Sequence, residues 1–407
     1  MATRLITDYN RDSMIKYLTL FLLSLLATSW IYKKVLRIAL MKNIVDNPDA
    51  RKLQGRPVPV LGGVAVFWGM LVSLVVCNMY FKADWILVVL GLMTVMLYVG
   101  TLDDILSLTP YQRFFIEILA IFVMITCNDN SIDNFHGLWD IWWMPEWASM
   151  LVTIIACVGI MNAINMIDGV NGLCSGYCIV ICLSFGIIFW QTHNFEATAM
   201  AIIAIGALIP FFFHNVFGRD SKMFLGDGGS LLMGITMSVF VVELLKDRYQ
   251  YFDTYCPDLG VVPLALALLA IPVFDTLRVM TMRLIRGNSP FSSDRTHLHH
   301  LFFDYEFSHL GITALVIGLN VLVILVWAAS YYFGASIEVQ LYVVASVAFM
   351  VTFVFYPVMR YIERKGGRLY ESIKQLGRAT HIGHTKGFMK LTSFLDRNCN
   401  YETESES

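Results

Sequence analysis

Long apolar runs separated by short polar loops dominate the chain from its first residues to about residue 361. A helix that crosses a bilayer needs about 20 mainly apolar residues. Eleven runs meet that length, centred near Leu25, Met70, Val95, Ile118, Cys157, Ile181, Ile205, Met237, Leu268, Val323 and Phe349. The pattern predicts an all-α polytopic membrane protein with about eleven transmembrane helices. The first run is too long for a cleaved signal peptide, is followed by Lys33, Lys34 and Arg37, and shows no small-residue cleavage site, so it is expected to stay as the first helix. Length alone would suggest two or three domains. The unbroken recurrence of apolar runs points instead to one membrane unit, 1–361, followed by a basic tail, 362–407, read as a surface helix with a disordered end.

Composition sharpens this. Apolar residues make up 57% of the 407 and charged residues only 15%, against about 25% charged in ordinary soluble domains; mean hydropathy is +0.64. A soluble protein would have nowhere to bury that surface, and no nucleic-acid partner is expected. The eight Cys residues fall mostly inside apolar runs without zinc-like pairing, and Cys174, Cys178 and Cys182 share a helical face, as packing residues would. If the loop after the first helix is cytoplasmic, twenty-three of the 29 Lys and Arg residues fall on the inside. That bias predicts an amino terminus outside and a carboxyl terminus inside, which an odd number of spans requires.

In this register the unusual polar sequence all lies on the inside face. It comprises Asp46 to Gly63, Asp103-Asp104, Asn162 to Gly172, Phe224 to Ser230, and Ser289 to His300. The outside stretch from Asn128 to Trp147 is rich in Trp and free of basic residues, as an interfacial belt would be. Chemistry is therefore expected at the cytoplasmic surface.

Each segment has a chemical and a plain reading. A carboxylate deep in a bilayer costs about 3 kcal/mol, so Asp103 and Asp104 must sit at an interface or a wet cavity, as Mg²⁺ ligands, positioning groups or a general base; alone they would read as a solvated helix end. Asn162, Asn165, Asp168 and Asn171, spaced by three, form one polar stripe if helical. That stripe suits a nucleotide's hydrogen-bonding edges, or the polar contacts between membrane helices. Asp227 between Gly226 and Gly228, with Ser230 following, can offer backbone N–H groups to phosphate and a carboxylate to a cation, although the segment lacks the Gly-Lys-Ser/Thr ending of a phosphate-binding loop. Phe224 can stack on a base or simply pack. His297, His299 and His300 with Arg295 suggest phosphate contact more than zinc, because a structural zinc wants four ligands and no further ligand is near in sequence. Arg51, Lys52 and Arg56 can attract anionic substrates, though topology accounts for half of that charge. Asp275, inside the ninth run, is either functional or paired with Arg278.

Those five segments, in order, resemble the polyprenyl-phosphate N-acetylhexosamine-1-phosphate transferases of the WecA, TagO and MraY type, over about residues 15 to 361. The resemblance implies transfer of an N-acetylhexosamine 1-phosphate from a UDP-sugar to a polyprenyl (undecaprenyl) phosphate with release of UMP, the opening step of a cell-envelope polysaccharide or glycan. It implies a bacterial inner (plasma) membrane setting, Mg²⁺ as cofactor and a homodimer. It casts Asp227, with Asp104, as metal ligand; Asp103, Asp104, Asp168, His297, His299 and His300 as catalytic; and Arg51, Lys52, Asn162, Asn165, Asn171, Phe224 and Arg295 as substrate contacts. The His-Leu-His-His form at 297–300 and Asn at 171 resemble the branch that uses simple UDP-N-acetylhexosamines, UDP-GlcNAc first among them. The alternatives are an anionic-solute transporter, which calls for broken helices and polar groups near the midplane, and a CDP-alcohol phosphotransferase, whose Asp-Gly-x-x-Ala-Arg signature is missing.

Overall fold

The computed structural model describes residues 2–46, 57–83, 85–128, 130–246, 252, 256, 258–291, 295–397 and 399. Helices account for nearly all of it. α1 (Ala2–Met41), α2 (Gly62–Phe81), α3 (Trp85–Leu106), α4 (Pro110–Asn128), α5 (Glu146–Met166), α6 (Leu173–Gln191), α7 (Phe195–Phe217) and α8 (Gly226–Leu245) come first. Then follow α9 (Val261–Leu268), α10 (Ala270–Ile285), the short α11 (Leu298–Asp304), α12 (His309–Tyr332) and α13 (Ile337–Phe349), which runs through a π turn into α14 (Phe355–Lys365). The tail forms α15 (Arg368–Ala379) and α16 (Lys386–Leu395). A two-residue hairpin pairs β1 (Val45–Asp46) with β2 (Val58–Pro59) in antiparallel register.

Among the described residues ten helices are long and apolar enough to cross a membrane, eleven when the bent pair α9–α10 is counted as one span. The chain is thus a multi-pass, all-α membrane protein. The ninth span departs from the simple run: it bends by 73° at Leu269. Its cause is Pro272, which has no N–H to give the carbonyl four residues earlier, that of Leu268. The freed carbonyl accepts from the Tyr177 hydroxyl at 2.9 Å and from Asn320 Nδ2 at 3.0 Å, while Asn320 Oδ1 takes the Ile271 N–H at 3.0 Å. Side chains from two neighbouring helices thereby satisfy a break that lipid could not.

α8 is the axis of the bundle, with every residue from Gly228 to Leu245 buried. Glycines let its neighbours come this close. A Cβ on Gly63 of α2 would stand 2.3 Å from Gly229 N, and one on Gly100 of α3 would stand 2.4 Å from the Asp227 carbonyl oxygen and from Gly228 N. Small residues at such crossings are how membrane helices gain packing contact without a hydrophobic drive between them. The eight cysteines are free, and Cys157, Cys174, Cys178 and Cys182 are buried in the packing, as expected from their apolar surroundings. Trp139, Trp142, Trp143 and Trp147 are exposed in and beside the loop before α5, in keeping with an interfacial belt.

The tail differs from the single surface helix read from sequence. α14 carries the last span through Lys365, so the boundary drawn at 361 lies inside a helix. Beyond it come two helices, both held against the loops of the bundle.

Candidate functional site

The candidate site is assembled at one end of the bundle, where α3 and α5 stop and α8 and α11 start. The segment before α8 is fixed first. Phe224 N donates to Pro59 O at 2.7 Å, and the first N–H groups of α2, those of Gly62 and Gly63, donate to the carbonyls of Phe224 and Leu225 at 2.9 and 2.8 Å. The chain then turns at Gly226, whose φ of +75° favours glycine and whose Cβ would in any case meet Val60 O at 2.4 Å and Asp104 Oδ2 at 2.6 Å. Asp227 opens α8. The start of that helix has no capping side chain of its own. Asp104, at the end of α3, takes the role: its carboxylate accepts the N–H of Asp227 at 3.1 Å and of Gly228 at 3.3 Å.

Asp227 Oδ1 accepts from Asn165 Nδ2 at 2.7 Å, and the same amide reaches Ser230 Oγ at 2.8 Å. Asp227 Oδ2 accepts no hydrogen bond from the described residues. Asp168 completes the acidic group from the turn after α5. Burial, with the charges of Asp227 and Asp104, holds its carboxyl well above the usual carboxylate range, and the Gly226 N–H offsets part of that. Asp104, Asp168 and Asp227 come from three elements and face one another electrostatically.

The polar stripe at 162–171 is only half realised, because α5 ends at Met166. Asn165 stays in the site. Asn162 points into a buried network: its Nδ2 donates to Glu117 Oε2 at 2.5 Å and Val158 O at 2.9 Å, and its Oδ1 accepts from Arg113 at 3.1 Å. Asn171 lies past the helix, with its N–H toward His309 Nδ1 at 3.4 Å and its carbonyl accepting from Thr313. Asn215 pins this turn to the next segment, accepting Gly172 N–H at 2.6 Å and donating to Met223 O at 2.8 Å. Asp103 turns the other way from Asp104. One of its oxygens accepts the Leu108 N–H at 2.8 Å, closing the α3–α4 turn, and the other meets Arg113 at 3.2 Å.

The histidines approach from α11. His297 Nδ1 lies 3.0 Å from Asp275 Oδ2, and Asp275 also binds Arg278 at 2.7 Å and the Leu298 N–H at 3.2 Å. The pairing of Asp275 with Arg278 read from sequence is present, with His297 added to it. His299 stacks on His297 with ring centroids 5.6 Å apart and meets the His300 ring, tilted by 43°, at 4.3 Å. It lies against Gly169, where a Cβ would stand 2.7 Å from His299 Nε2, so the histidine row abuts the Asp168 turn. Burial and the neighbouring His300 and His297 push the His299 imidazole well down, and His300 is pushed down to about 4 by burial, so both are neutral at pH 7. Phe224 is half-buried and Arg295 exposed. Arg51 and Lys52 lie outside the described residues.

Arg113 and Glu117 escaped the sequence reading. Their signal was an i,i+4 acid and base inside an apolar run. Glu117 is fully buried, and Arg113 holds it at 3.5 Å while bridging Asp103 and Asn162. Arg113→Ala would leave a buried acid without its cation, and is expected to lower stability by about 3 kcal/mol, read as a fall in the melting midpoint of the detergent-solubilised protein.

The acidic group fits one kind of metal. Among the described residues no set of three His, Cys, Asp or Glu side chains forms a ready-made cage, which disfavours a closed zinc site. Mg²⁺ keeps most of its water and takes one or two carboxylates plus substrate phosphate oxygens. Asp227, whose Oδ2 accepts no hydrogen bond from the described residues, and Asp104, bound to the Asp227 N–H, suit that demand.

A family model described as glycosyl transferase family 4 matches residues 86–245, which span α3 to α8 and hold all three acids. The chain is also similar to a probable undecaprenyl-phosphate N-acetylglucosaminyl 1-phosphate transferase of Bacillus subtilis, at 26% identity over 73% of this chain and 80% of the relative. Similarity extends to the undecaprenyl-phosphate alpha-N-acetylglucosaminyl 1-phosphate transferases of Yersinia pestis, 28% identical over 67% of this chain and 73% of the relative, and of Escherichia coli K12, 29% identical over 67% and 72%.

Proposed function

We propose that the chain is a member of glycosyl transferase family 4, whose model matches residues 86–245, and that it transfers N-acetylglucosamine 1-phosphate from UDP-GlcNAc to a polyprenyl phosphate in the bacterial plasma membrane, releasing UMP. The observation that carries the reading is the meeting of Asp104, Asp168 and Asp227 at one end of a membrane bundle, with His299 against the Asp168 turn. The excess of Lys and Arg in the loops at that end supports a cytoplasmic position for it, where a nucleotide sugar is available and a lipid phosphate can arrive from the bilayer. The transporter alternative gains no support from relatives that are all named as transferases.

A lipid phosphate oxygen attacks the sugar-bearing phosphorus, the phosphoanhydride bond breaks, and UMP leaves with the electron pair. One phosphoanhydride replaces another, so the protein's task is alignment and charge control. A phosphate monoester with a second pKa near ~6 is already mostly dianionic at neutral pH and needs no strong base. Asp104 fixes the start of α8 and so sets where Asp227 stands. Asn165 orients the Asp227 carboxylate, leaving Oδ2 open. Asp227 with Asp104 would hold Mg²⁺, which when bound neutralises charge on the pyrophosphate and the departing UMP. His299 and His300, being neutral, offer hydrogen bonds to phosphate without adding fixed charge. Phe224, next to the fixed hairpin, stacks on the uracil.

Purified protein in lipid discs, given radiolabelled UDP-GlcNAc and a polyprenyl phosphate, is expected to move label into the lipid extract and to release UMP in equal amount. Chelation should stop both, and Mg²⁺ should restore both. Label that stays in the aqueous phase under all these conditions removes the proposal. Label that transfers equally well after chelation removes the metal from it.

A further inference from the structure

Residues after Lys365 fold back over the site end of the bundle and grip two loops. α15 binds the turn that follows the histidine helix. Glu306 accepts from Arg378 and from Lys374 Nζ, the latter at 2.9 Å. Ser308 donates twice to Thr380, its N–H to Oγ1 and its hydroxyl to the carbonyl, at 2.8 Å each. A Cβ on Gly377 would stand 2.2 Å from Tyr305 O, so backbone lies on backbone there. α16 binds the loop between α7 and α8. Thr392 Oγ1 donates to Phe217 O at 2.8 Å, and the Phe388 and Phe217 rings meet at 5.2 Å. The Asp396 carboxylate then accepts the Arg219 N–H at 3.2 Å, the Ser221 N–H at 3.0 Å and the Ser221 hydroxyl at 2.6 Å.

Both gripped loops lead directly into the site. Ser221 stands three residues before Phe224 and six before Asp227, and is also held from within the bundle, by Tyr32 OH to its carbonyl at 2.8 Å and by His214 Nδ1 at 3.0 Å from its hydroxyl. Glu306 stands just past the helix that presents His299 and His300. The outer face of the tail carries exposed Leu369, Leu376, Met389 and Phe394 among basic residues, the pattern of a helix lying in the membrane interface. The tail is thus bonded to the two loops and carries exposed apolar residues suited to a membrane surface.

We propose that residues 366–397 form a strap that sets the spacing between the Phe224–Asp227 segment and the histidine helix, with Asp396 as a positioning residue for nucleotide-sugar binding. A site loop left to its own backbone would sample open positions, and support from a neighbouring shell removes that freedom. Asp396 touches no reacting atom. Its effect passes through Ser221 to the segment that carries Phe224.

The strap rests on the transferase reading for its kinetic consequence but not for its mechanical one, and the test uses both. In the full-length protein, Asp396→Ala is expected to raise KM for UDP-GlcNAc about fivefold or more while KM for the polyprenyl phosphate stays within about twofold. Asp396→Asn keeps an acceptor for Ser221 and should recover most of the loss. Hydrogen exchange should quicken at residues 218–226 in Asp396→Ala and at 297–304 in Arg378→Ala, with the melting midpoint nearly unchanged. Equal losses toward both substrates together with a lowered midpoint would overturn the strap, and so would unchanged KM and exchange. If the wild-type protein transfers no sugar, the transferase reading falls, and the exchange contrast alone decides the strap.

Discussion

Asp227→Asn is expected to lower turnover about a thousandfold, equivalent to ~4 kcal/mol of transition-state stabilisation, while leaving the fold intact. The two side chains have nearly the same volume, and the Asn carbonyl can still accept from Asn165 Nδ2, the contact that Asp227 Oδ1 makes at 2.7 Å. What the substitution removes is the negative charge and the second carboxylate oxygen, Oδ2. The loss should therefore appear in kcat, with far-ultraviolet circular dichroism and the melting midpoint close to wild type. Asp103→Asn makes a useful contrast. Asp103 is occupied by Arg113 and the Leu108 N–H, so its replacement should cost more in stability than in rate. Initial rates of label transfer, measured beside melting curves, separate the two. Turnover of Asp227→Asn within about threefold of wild type would take Asp227 out of the reaction.

The fold class was legible because hydrophobic periodicity in a bilayer protein is a strong signal: a span must be long, apolar and internally bonded. The bent ninth span shows where the signal stops. Pro272 marks the break in the sequence, but whether a proline kinks a helix or parts it depends on partners elsewhere, here Tyr177 and Asn320. The site was legible in its parts rather than in its wiring. Asp104, Asn165, Asp168 and Asp227 were singled out from three separate motifs, and they meet. Spacing by three suggested that Asn162 and Asn171 would share their face, yet a helix ending at Met166 sends one into the Glu117 network and the other past the turn. Neighbouring residues such as Asp103 and Asp104 point to opposite tasks, which no pattern along the chain could have assigned. The role of the tail was hidden for the same reason, since Asp396 meets Ser221 across 175 positions of sequence.

Gly100→Ala is the second substitution expected to have a large effect, and it acts through backbone rather than chemistry. The added methyl would stand 2.4 Å from the carbonyl carbon and oxygen of Asp227 and from Gly228 N. None of these atoms belongs to a side chain that can swing away. α8 cannot retreat either, because Gly63 of α2 approaches Gly229 just as closely and the rest of the helix is buried. Overpacking of this kind typically costs about 1–3 kcal/mol and shifts backbone, and here the backbone that shifts carries Asp227 and the two N–H groups bound to Asp104. Turnover is expected to fall about a hundredfold, with a lowered melting midpoint. Gly91→Ala supplies the control on the same helix: its Cβ would meet nothing within 4 Å, and alanine is the better helix former by about 1 kcal/mol. Near-normal turnover in Gly91→Ala beside a collapsed Gly100→Ala would trace the loss to the α3–α8 crossing. Equal behaviour of the two would mean that α3 and α8 do not meet at this glycine.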